Sequence, residues 1–166
     1  MAGFRVPTPG LSWVEPDRWH ATLAFLGDTL PERVPALSEA LREFAGGREP
    51  FGTGLRGVGA FPTVVEPKLI FAGVEDADGS WSSLAGSLRL LLAQDGFPTE
   101  DRPYRPHLTL ARVKDAWAGK SALARLDQGV GSFRADWTAG SFRLVRSRTG
   151  NDPRYETLEE FKFGKV

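Results

Sequence analysis

Cysteine is absent from this chain, histidine occurs only twice, and the longest apolar runs, such as Leu90 to Ala93, cover a few residues. The first absence excludes disulfides, thiolate metal sites and cysteine nucleophiles, and fits a reducing interior, so the cytoplasm is the expected location. Runs that short are no membrane span, and the amino end lacks a basic segment followed by an apolar stretch, so no signal peptide or membrane partner is expected. Neither sign of charge is in excess: 21 Lys and Arg balance 21 Asp and Glu. Attraction to a polyanion must therefore come from local clusters. What is present, 166 residues of 41% hydrophobic content, suits one globular domain or two small lobes.

The residue pattern predicts alternating kinds of element. Trp19 to Leu26 is rich in β-favouring residues and ends at Gly27 and Asp28, which predicts a strand with His20 near its start. Thr29 is placed to cap a helix with Pro31 in its first turn, Val34, Leu37, Leu41 and Phe44 on one face, and Gly46 and Gly47 as its stop. Phe51 to Val58 and Lys68 to Val74 predict paired strands either side of a turn at Phe61 and Pro62. Trp81, Leu84, Leu88, Leu91 and Leu92 make a second helical stripe, capped by Asp78 or Ser80 and ended by Gly96. A strand over Tyr104 to Val113, a short helix near Ser121 to Leu126, and strands at Phe133 to Trp137, Phe142 to Arg146 and Tyr155 to Phe163 complete the reading. The pattern predicts an α+β fold with antiparallel sheets and helices on their outer faces.

Two familiar signatures fail their context tests. Gly52 to Gly57 spells G-x-G-x-x-G, but Phe61 and Pro62 follow where a dinucleotide site needs a helix to open. Gly119, Lys120 and Ser121 look like the end of a phosphate-binding loop, but Lys114 occupies the place of its first glycine. No G-x-S-x-G is present, and the carboxylates lack ligand spacing to the histidines; Asp28 and Asp115 read as turn residues. No metal and no cofactor are expected.

The informative feature is a repeat. His20, Ala21, Thr22, Leu23, Ala24 returns as His107, Leu108, Thr109, Leu110, Ala111, and Asp28 and Asp115 stand at the same later offset. A given histidine would be followed by Thr, Leu and Ala at those offsets on the order of one time in a thousand. Both histidines of the chain meet the condition. In a strand, residues i and i+2 share a face about 6.5 to 7 Å apart, so each motif projects an imidazole and a hydroxyl together. Two such motifs facing one position provide an acid, a base and two donors to the oxygens of a central group. Histidine, with an unperturbed pKa of about 6.5, can take either proton-transfer role near neutral pH. In-line displacement at phosphorus needs both roles, and its charge sits on the non-bridging oxygens that Thr22 and Thr109 could meet. Arg102, Arg105 and Arg112, and Arg143, Arg146, Arg148 and Arg154, are expected to form a patch for a polyanion's phosphates, the alternative being an ordinary solvated face.

These residues resemble the two-histidine phosphoesterases, and among them the bacterial and archaeal RNA 2′,3′-cyclic phosphodiesterases, also called 2′-5′ RNA ligases. The matching stretches are W-H-A-T-L-A-F-L-G-D at Trp19 to Asp28, G-V-G-A-F-P at Gly57 to Pro62 and R-P-H-L-T-L-A-R-V at Arg105 to Val113, with a similar ending through Arg146, Gly150, Pro153, Tyr155, Glu156 and Phe161. The resemblance implies a single bilobal domain over residues 1–166, with two pseudo-symmetric antiparallel sheets and a central groove. It implies an enzyme that hydrolyses RNA 2′,3′-cyclic phosphodiester ends to 2′-phosphate ends. His20 and His107 would be its catalytic pair, and Thr22, Thr109, Arg112 and Phe25 would bind substrate, Phe25 by stacking on the terminal base. RNA ends or small cyclic nucleotides are then the expected partners of a monomer. Ligation of tRNA half-molecules through a 2′-5′ linkage, or RNA-end binding without turnover, are the alternatives. Strict alternation would put Arg112 and Phe25 on the faces opposite their histidines, so they reach the site only if the strand twists, bulges or ends. The family's first strand and helix have no counterpart ahead of Leu11, where Met1 to Pro9 would supply only that helix's tail.

Overall fold

The computed structural model describes residues 8–130, 134–148 and 154–164. Its elements are β1 (Leu11–Trp13), 3-10 turns at Pro16–Arg18 and Pro31–Arg33, α1 (Val34–Gly46), β2 (Phe51–Pro62), β3 (Pro67–Val74), α2 (Ser80–Gln94), β4 (His107–Val113), α3 (Ala116–Val130), β5 (Arg134–Ala139), β6 (Ser141–Arg148) and β7 (Arg154–Lys162). The class is α+β, as expected. One sheet runs β1-β4-β3-β2-β5 and a second is the β6–β7 hairpin, with β1–β4, β3–β4, β2–β3 and β6–β7 all antiparallel. No helix of the described residues is long and apolar enough to cross a membrane.

Two compact units divide the chain, each built from three segments. Met1–Leu23, Thr53–Ser83 and Pro103–Asp136 form the first; Ala24–Gly52, Leu84–Arg102 and Trp137–Val166 form the second. In the first, α3 packs on β3 and β4. Ile70, Ala111, Ala122 and Leu126 are buried together there, with Leu11, Trp13, Val58 and Val113 against them. Gly119 lets the helix lie close, because a Cβ there would sit 2.7 Å from Val113 and 2.8 Å from Pro67. In the second, α1 packs on β6 and β7, with Phe142 in ring contact with Phe44 and Phe161.

Several expected elements change, each for a local reason. Trp19 to Leu26 is not a strand; its one ladder contact is the isolated bridge Ala21–Leu108. Thr29 caps nothing: its hydroxyl donates to the Gly27 carbonyl, and a 3-10 turn leads into α1 at Val34. β2 runs through Phe61 and Pro62 rather than turning there, its ladder reaching Leu69 and Pro67 of β3, with register shifts at Gly57, whose φ is +65°, and between Phe61 and Pro62. The strand expected from Tyr104 starts at His107, since Pro103 and Pro106 have no N–H to give the ladder. The short helix at Ser121 is 15 residues long and begins after Asp115, whose Oδ1 accepts the Ala118 N–H at 2.8 Å as an N-cap. α2 starts where expected, but Asp76 and Asp78 share the capping: Asp76 accepts from the N–H groups of Trp81 and Ser82, and Asp78 from the N–H and the hydroxyl of Ser80. The helix tail expected at residues 1–7, Phe133, and the turn through Gly150 and Pro153 lie outside the described residues.

Candidate active site

Both H-x-T motifs lie in the first unit, on neighbouring antiparallel segments. β1 pairs with the far end of β4, Leu11 opposite Val113 through Trp13 opposite Ala111. The chain then leaves the sheet, turns at Pro16–Arg18, and returns to bridge Ala21 to Leu108. The indole of Trp19 ties this return, donating from Nε1 to the Val14 carbonyl at 3.0 Å. The Ala21–Leu108 pair lays His20 and Thr22, which flank Ala21, alongside His107 and Thr109, which flank Leu108. Directly opposed residues share a face with Cα atoms about 4.5 to 5.5 Å apart, and diagonal neighbours stand about 7 to 8 Å apart. Continued one residue either way, this register would set each histidine opposite the other motif's threonine, with the two histidines on the diagonal.

The face of β4 carrying His107 and Thr109 is the one turned away from α3. Ile70 and Ala111, which pair with each other, belong to the α3 side. His107 pairs with Gly73 and Thr109 with Phe71, one residue out of step with that buried row. Arg112 joins the same face through an irregularity: Ile70 opposes Ala111 while Phe71 opposes Thr109, so Leu110 is an extra residue in β4. This bulge returns Arg112, opposite Leu69, to the side of His107 and Thr109. The guanidinium is exposed there. Phe25 is also exposed, at 62%, but it belongs to the second unit.

The two histidines are anchored alike. His20 Nδ1 is 2.8 Å from the Arg18 carbonyl and His107 Nδ1 is 2.7 Å from that of Arg105, each two residues upstream. A carbonyl only accepts, so in the neutral rings both Nδ1 atoms carry the proton and both Nε2 atoms are the basic nitrogens. His20 is exposed and His107 half-buried. Phe61 and Phe71 meet His107 at ring-centroid distances of 5.0 and 5.4 Å, and stack on each other at 4.5 Å. Among the described residues no group of three or more His, Asp or Glu side chains is placed to hold a metal ion.

The arginine patch is only partly supported. Arg143 and Arg146 lie opposite Glu160 and Glu156 on β7, with N···O separations of 3.6 and 3.4 Å, and Arg102 pairs with Glu100 at 2.9 Å. These charges are balanced locally. Arg105 and Arg112 are the arginines on the histidine-bearing unit near the site. Sequence reasoning missed the site's supports, namely Trp19, Phe61, Phe71 and the two anchoring carbonyls. A backbone carbonyl leaves no mark in a sequence. The aromatic pair was signalled by the G-V-G-A-F-P stretch, in which Gly59 lies opposite Phe71.

Comparison with known proteins gives concordant matches. A family model, the 2′-5′ RNA ligase superfamily, matches residues 7–151. The chain is 37% identical over 154 residues to an RNA 2′,3′-cyclic phosphodiesterase of Archaeoglobus fulgidus, covering 92% of this chain and 84% of that protein. It is 31% identical over 156 residues to one of Geobacillus stearothermophilus, where the match takes in 92% of this chain but spans about half, 48%, of the longer relative. The crystal structure of E. coli LigT complexed with 3′-AMP superposes with a TM-score of 0.72 at 24% identity, over 98% of this chain and 86% of that one.

Proposed function

Because the chain belongs to the 2′-5′ RNA ligase superfamily, we propose that it hydrolyses RNA 2′,3′-cyclic phosphodiester ends to 2′-phosphate ends, with His20 and His107 as acid and base. The observation that supports this reading is the Ala21–Leu108 pairing, which brings the two H-x-T motifs alongside each other in the first unit. A cyclic phosphate seated on the diagonal between the imidazoles meets a basic Nε2 on one side. That nitrogen takes a proton from the attacking water. The other ring, protonated, returns one to the departing 3′ oxygen, so the P–O3′ bond breaks as the P–O(water) bond forms. Thr22 and Thr109 donate hydroxyl hydrogen bonds to the non-bridging oxygens, and the Arg112 guanidinium, brought round by the Leu110 bulge, adds a charge-assisted donor. The Nδ1 contacts to the Arg18 and Arg105 carbonyls leave both Nε2 atoms free for the exchange of roles.

The test is an oligonucleotide ending in 2′,3′-cyclic phosphate, incubated in EDTA and followed by phosphorus NMR. The expected product is a 2′-phosphomonoester of unchanged length. His20→Ala and His107→Ala should each lower kcat by about 10²- to 10⁴-fold, the usual contribution of a positioned acid or base. Full activity in either variant overturns the two-histidine mechanism, and products longer than the substrate would identify joining instead.

A further inference from the structure

We propose that Phe61 and Phe71 are positioning residues that hold the His107 imidazole in its reactive orientation, an inference that rests on the acid–base role given to His107. A histidine ring anchored by one hydrogen bond can still swing about that bond. For His107 the bond runs from Nδ1 to the Arg105 carbonyl, and two aromatic rings close off the swing. Phe61 stands at 5.0 Å with its plane 74° from the imidazole, and Phe71 at 5.4 Å and 61°, both edge-to-face contacts. The two phenyl rings are stacked on each other, 4.5 Å apart and 26° from parallel, so they act as one wedge.

The wedge is built in at the level of the sheet. Phe71 opposes Thr109 across β3–β4 and Gly59 across β2–β3, and Phe61 lies two residues beyond Gly59 on the same face. Gly59 is needed for this: a Cβ on it would fall 2.5 Å from Phe71 Cζ and 2.9 Å from Cε2. Gly73, opposite His107, allows the neighbouring backbone equally close, with a Cβ there 2.6 Å from the Arg56 carbonyl oxygen. Arg105 links the two restraints, since its carbonyl takes Nδ1 while its guanidinium lies 5.3 Å from the Phe61 ring centre. Such rings accept both states of the imidazole, because the imidazolium ion is itself attracted to an aromatic face. They bear on where Nε2 points. A displacement of about 1 Å in a reacting group is enough to cost on the order of 10²-fold in rate.

The experiment compares Phe61→Leu, Phe71→Leu and Phe61→Tyr with the wild type on two readouts. For turnover of a cyclic-phosphate oligonucleotide, both leucine variants should lose about 10- to 100-fold in kcat with KM within about twofold, and Phe61→Tyr, which keeps the ring, should stay within about threefold. The second readout is the ring-proton NMR spectrum of the free protein, assignable because the chain has two histidines and His20→Gln removes one set. Removing either phenyl ring should collapse the His107 ring-current shifts toward free-imidazole positions. A leucine variant with unchanged kcat, a loss carried by KM, or unchanged His107 shifts overturns the proposal. Phe61 is only half-buried, so its variants decide the matter if Phe71→Leu fails to fold. If the wild type does not turn over the substrate, the functional reading fails on that result. The NMR arm still decides whether the two rings lie against His107.

Discussion

Gly59→Ala should destabilise the first unit through a single contact. The added methyl carbon would lie 2.5, 2.9 and 3.1 Å from three atoms of the Phe71 ring, where carbon atoms normally rest about 3.5 to 4.0 Å apart. Phe71 is 8% exposed and stacked on Phe61, so the ring cannot retreat without loosening its neighbours. Overpacking of this kind costs about 1 to 3 kcal/mol, and the weakened ring pairs add about 0.5 to 1.5 kcal/mol. Gly59 has no positive φ, so alanine can adopt its backbone and recovers about 0.4 to 1 kcal/mol by restricting the unfolded chain. The net is a loss of about 0.5 to 4 kcal/mol. For a chain of this length each kcal/mol lowers Tm by about 2 to 4 °C. Urea unfolding followed by tryptophan fluorescence and circular dichroism measures it, and coincidence of the two probes checks that the two units unfold together. The control is the same change in a Phe71→Ala background, where the clash has no partner and the substitution should be neutral or slightly stabilising. Equal cost in both backgrounds would refute the contact as the cause.

Three further changes probe other parts of the structure. Thr53 is buried, its hydroxyl accepting from Trp81 Nε1 at 2.8 Å and donating to the Glu75 carbonyl at 3.0 Å; Thr53→Val should cost about 1 to 3 kcal/mol in urea unfolding and Thr53→Ser much less. Hydrogen bonds from Ser80 hold the Asp78 carboxyl below its ordinary value of 3.8, and hydrogen bonds from Arg42 and Ser141 do the same for Glu159 and Glu160 relative to 4.5. A depressed carboxylate stabilises the fold above its unfolded pKa and loses that contribution as pH falls through the folded value, so Tm should decline below about pH 4.5. In Asp78→Asn the decline should be shallower; an unchanged slope would show that the Ser80 contacts are not coupled to folding. Arg143→Gln and Arg146→Gln should leave the salt dependence of substrate binding unchanged, because their partners are Glu160 and Glu156. A fall of about 1 in the log–log salt slope would restore the reading of this hairpin as a phosphate-binding surface.

Side-chain periodicity made the two larger helical stripes, the β6–β7 hairpin and most of β2 and β3 legible in the sequence. It failed where the signal is carried by something other than bulky apolar residues. α3 buries Ala118, Ala122 and Leu126 four residues apart, and two alanines are too weakly apolar to mark a face, so only its centre was expected. β1 is three residues long and has no alternation to read. Trp19 to Leu26 has the composition of a strand, yet its backbone forms a single bridge. Composition reports what a segment would accept, whereas a ladder also needs a partner strand in register.

The site was legible to the extent that it is written in side chains. The H-x-T repeat singled out four residues, and the pairing of Ala21 with Leu108 brings the two copies of the repeat alongside each other. Arg112 shows what a sequence cannot supply. Five residues after His107, an odd number, it should have faced α3 by strict alternation. The single extra residue at Leu110 shifts the count by one and brings it to the histidine side. A bulge is a property of how two strands match, and no residue type in L-T-L-A-R announces it. Hence the residue least secure from spacing alone became, once the register was known, as firmly placed on the site face as Thr109.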